Sequence, residues 1–416
     1  MSFLLKIAKN PFSTLKSPCL VREFIYDRLY HPKNGYFCQN NIQIGELQTH
    51  IDFKSMIGYD DYKLFLSKNY PENAWLTPSE LFKPWYGFTI ANYIHKVIKK
   101  LKLDPKKQKI RLVEVGAGSG SALDSILFFL KNYEQSLYNL MEFNIVEISP
   151  QMCQRAKEKF QKNHMKLLDK GQVRIWNDDF LNFKVPANSK DFTFIIFLEV
   201  LDNMPHDKVV FCKESKDWKF QTMIEMIDGQ KPKENLVPIS DPLISEALAY
   251  YKEFIKEANG NEINVSLWEK LVKRQFLQKS PKNLFLPTFC LKMLKFVRDT
   301  MPNHHLIISD FDLLPQEKNN REVINAPIVS KKLKKAHEKK DFDSYLVDQG
   351  EADIFFPTNF ELLKKMYSGV CKKKAVYMKT HEFVSEFAKE KWAETQSGYN
   401  PLKEDFLNTS FFLTEI

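Results

Sequence analysis

Three glycines stand at alternate positions in EVGAGSGSALDSILFFL, between a β-branched run and a helix-like run. Gly116 and Gly118 allow a tight turn and a close approach of a ligand to the backbone, and Gly120 allows a helix to pack closely on the preceding strand. Amides at the start of that helix would face a polar or negatively charged ligand. The order strand, glycine turn, helix predicts a ligand site, and isolated structural glycines are the alternative.

Acidic residues follow the next two predicted strands. Glu147 ends one of them, directly before Ser149-Pro150, where a carboxylate can accept hydrogen bonds from both hydroxyls of a ribose. Asp178 and Asp179 follow the next strand, where an acidic side chain could hold an adenine amino group. Dinucleotides and S-adenosylmethionine are both held in this way. Capping or turn roles for the three acids are the alternative.

A third polar group, Glu199, Asp202 and His206, follows a nearly continuous apolar strand. Residues there lie at the carboxyl edge of a parallel sheet, where ligand sites of α/β proteins form. If the ligand carries a guanidinium, carboxylates must hold it, and Glu199 would then orient it with Asp202 as its partner. His206 is predicted to relay a proton. The alternatives are two turn-capping acids and a surface histidine.

The pattern from residue 110 onward alternates strand-like and helix-like runs, which predicts an α/β fold with a largely parallel sheet. We expect a Rossmann-like, seven-stranded sheet. Its predicted strands are IRLVEVG, FNIVEIS, QVRIWNDD, DFTFIIFLEV, HHLIISDFDLLP, ADIFFPT and KAVYMKT.

Four regions follow from this pattern. Residues 1–105 are predicted to form a helical cap region, and 106–212 and 301–416 the two parts of the sheet domain. Residues 213–300 break the alternation and are predicted to be a largely helical insertion. The lysine-rich segment 330–344 is predicted to be a solvated loop or helix face.

Composition limits the function classes. The chain has 416 residues, 44% of them hydrophobic, and 61 basic against 52 acidic residues, a formal charge of +9. Such a chain can bury a large core, and its mild basicity favours nucleic acid only weakly. The six cysteines form no CxxC pair, which argues against a zinc site and a disulfide framework. No apolar run has the roughly 20 residues that a membrane span needs.

The N-terminus is basic before its first acidic residue, Glu23. Lys6, Lys9, Lys16 and Arg22 lie among apolar residues and serines, as in an amphipathic mitochondrial import segment. We therefore predict a mitochondrial matrix protein. An ordinary basic arm is the alternative.

Several motifs together resemble those of the class I methyltransferases, and more closely those of the MidA family. The resemblance covers about residues 20 to 380. It rests on LYHPKNGYF (29–37), LTPSE (76–80), EVGAGSG (114–120), VEISP (146–150), EVLDNMP (199–205) and ADIFFPTNFELL (352–363). Met204 stands where the family has leucine.

The resemblance implies S-adenosyl-L-methionine as cofactor, held by the glycine motif with Glu114 and by the acids Glu147, Asp178 and Asp179. It also implies that Tyr30, His31 and Pro32 close over the cofactor, and it leaves the role of Glu80 open. Mitochondrial members of the family include a complex I assembly factor described as a protein arginine methyltransferase. A respiratory subunit is therefore the expected substrate, with no metal required.

Two departures from the family pattern support other functions. Asn73, Ala74 and Trp75 replace Gly-Asp-Phe, which removes a carboxylate, and Leu198 replaces an asparagine. An inactive scaffold that uses the segment 213–300 as a partner surface is the second hypothesis. An RNA methyltransferase is the third, and nucleic acid is the least favoured partner because no aromatic-plus-basic RNA motif is present.

Overall fold

The computed structural model describes most of the chain. Of the predicted import segment, residues 1–14 lie outside the described residues, as do parts of the predicted insertion. The described ranges are 15–39, 44–47, 49–72, 74–184, 191–227, 231–260, 282–314, 323–333, 338–389 and 391–416.

A seven-stranded mixed sheet is the centre of the fold, which confirms the predicted sheet. Numbered in chain order, its strands are β2 (Ile110–Val115), β3 (Glu142–Glu147), β4 (Val173–Asn177), β5 (Phe192–Leu198), β10 (His304–Phe311), β15 (Ala375–Lys379) and β16 (Thr409–Thr414). The strand order is β15-β16-β10-β5-β2-β3-β4. Strands β10, β5, β2, β3 and β4 are parallel to their neighbours in that order, and β16 is antiparallel to both β10 and β15.

This order places a topological switch at β2. The chain passes from β2 outward to β3 and β4, then returns to β5 on the other side of β2. Helices that cross on opposite faces leave a crevice at such a switch, outside the carboxyl ends of the strands. The turn after β2, the end of β3 and the loop after β5 all meet there.

Helices cover both faces of the sheet. The helices are α1 (Val21–Tyr30), α2 (Tyr59–Asn69), α3 (Pro78–Leu81), α4 (Trp85–Lys100), α5 (Ser121–Tyr133), α6 (Gln135–Leu140), α7 (Pro150–Asp169), α8 (Pro242–Gly260), α9 (Thr288–Thr300), α10 (Phe360–Cys371), α11 (Thr380–Phe387) and α12 (Pro401–Glu404). Apolar side chains of α4, α5 and α7 form the core on one face, and those of α8, α9 and α10 form the core on the other. No helix of the described ranges is long and apolar enough to span a bilayer.

Two smaller sheets lie beside the central one. Six strands form the second sheet: β1 (Cys19–Leu20), β6 (Asp207–Cys212), β7 (Asp217–Glu225), β8 (Lys233–Pro238), β9 (Asn283–Leu286) and β11 (Val323–Ile324). Three form the other: β12 (Ile328–Lys332), β13 (Lys339–Asp341) and β14 (Asp353–Phe355). The segment 213–300 therefore supplies strands β7, β8 and β9 as well as helices, so the expectation of a largely helical segment needs this correction.

Two predictions from local pattern are wrong. ADIFFPT is not a strand of the central sheet, because β14 pairs with β12 in the three-stranded sheet. The missing central strand is β16, between β10 and β15. The lysine-rich segment is not only loop or helix, since Lys331 and Lys332 pair with Lys340 and Lys339 across β12 and β13; residues 334–337 lie outside the described residues.

Candidate active site

The glycine turn after β2 adopts a backbone that needs glycine. The φ angles of Gly116, Gly118 and Gly120 are 64°, 54° and 75°, the left-handed region that L side chains rarely adopt. A Cβ at Gly120 would lie 2.8 Å from the Phe160 ring, and one at Gly116 would lie 2.7 Å from Val200. Gly120 therefore permits close approach of Phe160 in α7 and Ile145 in β3, not of the preceding strand as predicted, and Gly116 permits close approach of the loop after β5.

Glu114 lies behind this turn. It is buried, and its Oε2 accepts the Leu123 amide of α5 at 3.1 Å. Burial raises the pKa of Glu114 to about 8. Its position fixes the start of α5, so this residue supports the turn from beneath.

Glu147 points from the end of β3 toward the glycine turn. Its Oε2 accepts the Gly118 amide at 2.8 Å, and its Oε1 accepts the Ser149 amide at 2.8 Å. Burial raises the pKa of Glu147, while the amides favour the ionised form. The Ile148 amide also lowers the pKa of Glu147 by hydrogen bonding, and a carboxylate has about four acceptor positions, so at least one remains for a hydroxyl group of a ligand.

Glu147 lines a cavity of about 100 Å³, which we call the glutamate cavity. Gly116 and Glu199 line it from the ends of β2 and β5, so three of the predicted site residues meet there. Tyr30 lines it from α1, and its hydroxyl donates to the Asn203 carbonyl at 3.0 Å. The turn after β2 and the tips of β3 and β5 thus line one pocket, in which two carboxylates meet largely apolar walls.

A second cavity of about 100 Å³, the aspartate cavity, adjoins the first through the shared lining residues Tyr30 and Gly116. Asp178 and Asp179 line it, as predicted. Asp179 Oδ2 accepts the Tyr26 hydroxyl at 2.6 Å, and Asp178 Oδ1 accepts the Asp179 amide at 2.7 Å. The remaining walls are largely apolar, which suits a flat aromatic base between carboxylates.

Glu199 has an unusual backbone and an unpaired carboxylate. Its φ angle is +53°, rare for a residue with a side chain, and its amide donates to the Ser309 carbonyl at 2.8 Å. No donor within the described ranges hydrogen-bonds its carboxylate. Desolvation, with the nearby Asp310 carboxylate, raises the pKa of Glu199 to about 8. Its negative charge also acts on the hydroxyls of Tyr70 and Tyr86 and raises their pKa further.

Asp202 and His206 do not line either cavity as the structure describes them. Asp202 is buried, and its Oδ1 has no hydrogen-bond partner in the described chain. Burial, with Asp310, Asp353 and Glu199 nearby, raises the pKa of Asp202 well above its ordinary value. Asp202 therefore lies near Glu199 but away from the cavity surface, so the structure does not bring the predicted pair together at the acceptor position.

His206 is a core residue. Its Nδ1 is 2.8 Å from the Met204 carbonyl, its ring stacks on Phe356 at 3.9 Å between centroids, and burial lowers its pKa to about 3. It is neither the predicted proton relay at the cavity nor a surface histidine. Its burial could not be predicted from the motif alone, because its stacking partner Phe356 lies much later in the chain.

The N-terminal motif is placed in part as expected. Tyr30 lines both cavities, whereas His31 accepts the amides of Lys33 and Asn34 in the following turn. Glu80 is buried, where its carboxylate accepts the Leu47 amide and the Ser121 hydroxyl, both at 2.7 Å. Glu80 therefore ties the N-terminal segment to the start of α5.

Of the residues that depart from the family pattern, Asn73 lies outside the described residues, and Ala74, Trp75 and Leu198 do not line the glutamate cavity. Ala74 is buried along a larger cavity of about 1080 Å³ between α5, α7 and the segment 45–50. Leu198 is half-buried and packs against the core formed with α4, α5 and α7. Neither residue lines the pocket shared by Glu147 and Glu199.

Comparison with known proteins agrees with this geometry. The family described as "Putative S-adenosyl-L-methionine-dependent methyltransferase" matches residues 89–378. The chain belongs to this family. S-Adenosyl-L-methionine is thus the cofactor of the methyltransferase, which confirms that prediction.

Solved structures show the fold of this methyltransferase. A COG1565 superfamily member from Burkholderia thailandensis, bound to S-adenosyl-homocysteine, has a TM-score of 0.57 and 14% identity over 96% of this chain and 88% of that one. A native structure of such a protein from the same organism has a TM-score of 0.54 and 13% identity over 96% and 87%. None of the curated proteins matches the chain.

The two cavities fit the cofactor. Glu147, with acceptor positions left beside the glycine turn, would hold the ribose hydroxyls, and Asp178 and Asp179 would face the adenine. Glu199 lies in the glutamate cavity on the β5 side. Tyr30 and Asn203 line this cavity too. The sequence indicated only Tyr30, because the N-terminal tyrosine-histidine-proline motif resembles that of the family.

Proposed function

We propose that this methyltransferase methylates an arginine of a protein substrate, a subunit of the mitochondrial respiratory chain, during the assembly of complex I. The single observation that carries the proposal is the Glu199 carboxylate, which lines the glutamate cavity and has no hydrogen-bond donor among the described residues. A guanidinium offers five N–H donors in a fixed fork and pairs well with a carboxylate. Glu199 is half-buried, and a cationic acceptor would favour its ionised form, which desolvation and Asp310 otherwise disfavour.

The cofactor supplies an electrophilic methyl group on a sulfonium. The chain's own residues bind and orient the reactants, because an in-line displacement depends mainly on alignment and on exclusion of water. Glu147 and the glycine turn fix one reactant, and Tyr30, Phe37 and Ile44 wall the cavity against solvent. Glu199, whose pKa is raised to about 8, accepts a proton more readily than an ordinary carboxylate.

Aromatic hydroxyls around Glu199 also suit a cationic acceptor. Tyr86 is buried and donates to Ser309 Oγ at 2.9 Å, and Tyr70 lies close enough to Glu199 for the carboxylate to raise its pKa. Cations are attracted to the faces of such rings. Tyr86 is buried in the core, but Tyr30 and Phe37 line the glutamate cavity with Glu199, so an arginine side chain that reached Glu199 would meet both a carboxylate and aromatic surface.

The partner and the compartment are parts of the same proposal. The basic N-terminus supports import into the mitochondrial matrix. A surface for the partner is offered by β8, whose residues are almost all exposed and which carries Leu236 at 52% exposure. Edge strands of this kind can pair with another chain.

Mass spectrometry of candidate respiratory subunits tests the proposal. Incubation with the cofactor and the wild-type enzyme is expected to add one methyl group, about 14 Da, to an arginine. Incubation with the Glu199→Gln variant is expected to add none. A wild-type protein that binds no cofactor would favour the scaffold hypothesis instead. Methylated RNA with unmodified protein would favour the RNA methyltransferase.

A further inference from the structure

The end of β10 holds the loop that follows β5. The Asp310 Oδ2 atom accepts three consecutive backbone amides, those of Val200 at 3.3 Å, Leu201 at 2.8 Å and Asp202 at 3.2 Å. The Asp310 side chain is fully buried, and its Oδ1 accepts the Phe311 amide at 2.7 Å. One carboxylate thus organises the whole turn after Glu199.

The turn needs this support because Glu199 is strained. A side-chain-bearing residue at a φ of +53° costs about 1 kcal/mol or more relative to ordinary backbone. The Glu199 amide is fixed by the neighbouring residue of β10, donating to the Ser309 carbonyl at 2.8 Å. Residues 309 and 310 of β10 therefore secure both sides of the backbone position from which the Glu199 side chain reaches the cavity.

We propose that Asp310 is the positioning residue of the active site, a buried carboxylate that holds Glu199 in its strained conformation and keeps its side chain directed at the methyl acceptor. This inference rests on the proposed function of Glu199. Asp310 itself does not line either cavity as described, so it acts through the loop and not on the reactants.

Asp310 also acts on Glu199 by its charge. The groups that face Glu199 are Asp310 from β10, Tyr86 from α4, Tyr70 after α2, and Asp202 from the same loop. Tyr30 shares the cavity from α1, and Asp353 of β14 lies beyond Asp202. Of these groups, Asp310 raises the pKa of Glu199 by its negative charge, in addition to burial, so its removal should lower that pKa.

The test compares Asp310→Asn with Asp312→Asn. Asp312 is a matched control two positions along, where its carboxylate accepts Lys379 and Ser410 away from both cavities. In Asp310→Asn we expect kcat to fall about 10- to 100-fold, because misplacement of a group at the reacting centre has effects of that size. The Kd for the cofactor should stay within about twofold of wild type, and the acidic limb of the pH–kcat profile should move to lower pH.

Two further measurements keep the inference testable. If Asp310→Asn does not fold, Asp310→Glu keeps the charge but displaces it, so kcat should fall while the acidic limb stays in place. Carbon-13 NMR of glutamate carboxyls, with the Glu199 signal identified by its loss in Glu199→Gln, should show a lower titration midpoint in Asp310→Asn even if no methyl transfer occurs. That readout separates failure of the inference from failure of the proposed function. An unchanged Glu199 midpoint together with wild-type kcat would overturn the inference.

Discussion

The tips of β3 and β5 each present a glutamate to the same cavity, yet their surroundings differ. Glu147 at the tip of β3 accepts two backbone amides at 2.8 Å and sits on ordinary backbone before the Pro150 helix start. Glu199 after β5 has a left-handed backbone and a carboxylate with no donor in the described chain. Hydrogen bonds fix the Glu147 carboxylate, whereas Glu199 is fixed only through its backbone.

Glu147 and Glu199 are therefore suited to different roles. An acid already satisfied by amides can add hydrogen bonds to neutral hydroxyls without a large change in its charge state. An acid without donors gains most from a cationic partner, and its proton equilibrium changes when that partner binds. The first suits a cofactor ribose and the second suits a cationic methyl acceptor.

Replacing the acid after β5 should have the largest effect on chemistry. Glu199→Gln keeps the shape but removes the charge and the proton acceptor, so we expect kcat to fall by about 100- to 10,000-fold. Steady-state methyl transfer to the substrate identified by mass spectrometry measures it. Retention of more than a tenth of the wild-type kcat would contradict the assignment of Glu199 to methyl transfer and of Glu147 to cofactor binding.

The glycine turn should show the largest effect on stability. Gly120→Ala combines a left-handed φ with a Cβ at 2.8 Å from Phe160, so we expect a loss of about 2 to 4 kcal/mol in the free energy of unfolding. Gly118→Ala is the matched control, because its Cβ would meet only Ile44 at an ordinary 4.0 Å, and it should cost about 1 to 2 kcal/mol. Urea unfolding compares the two; equal losses would contradict the packing role of Gly120.

The buried acids around the loop after β5 should make stability depend on pH in a direction opposite to the usual one for carboxylates. The pKa values of Glu199, Asp310 and Asp353 are raised to about 8, 7 and 7, so the folded state keeps protons that the unfolded state releases above about pH 4. Their contribution is therefore complete below that pH and is lost as the pH rises toward 8.

The free energy of unfolding of wild type and of Glu199→Gln, measured between about pH 4.5 and 8, tests this direction. That window runs roughly from the ordinary to the raised carboxyl pKa. The variant should become more stable than wild type as the pH rises, and the two should converge at the acidic end. A variant that becomes less stable than wild type as the pH rises would mean that Glu199 is ionised and paired in the folded state.

The smallest effect on catalysis is expected at His206. His206→Gln removes a ring stacked on Phe356, which should lower the melting temperature, but kcat and its pH profile should stay within about twofold of wild type because the ring is buried away from both cavities. A changed pH profile would restore the proton-relay hypothesis.

Local sequence was sufficient for the features that depend on neighbours along the chain. The glycine turn, Glu147 and the two aspartates lie where strand, turn and helix order put them, because the carboxyl ends of adjacent parallel strands meet. The parallel strands of the sheet were predicted for the same reason, since their β-branched runs are continuous.

Features that depend on distant pairing were not predictable in this way. TSFFLT and ADIFFPT have similar composition, yet only the first, as β16, finds a place between β10 and β15. Asp310 lies 111 positions after Glu199 in the sequence. No pattern among neighbouring residues therefore indicates that it supports the loop. Asp202 and His206 share a motif with Glu199, but burial separates them from the cavity.

Calorimetric titration with S-adenosyl-L-methionine tests the division between the two glutamates most directly. Wild type and Glu199→Gln should bind with Kd values within about threefold of each other, whereas Glu147→Ala should bind about 100-fold more weakly, since two charge-assisted hydrogen bonds are lost. Absence of binding to wild type, or equal binding by Glu147→Ala, would contradict the account.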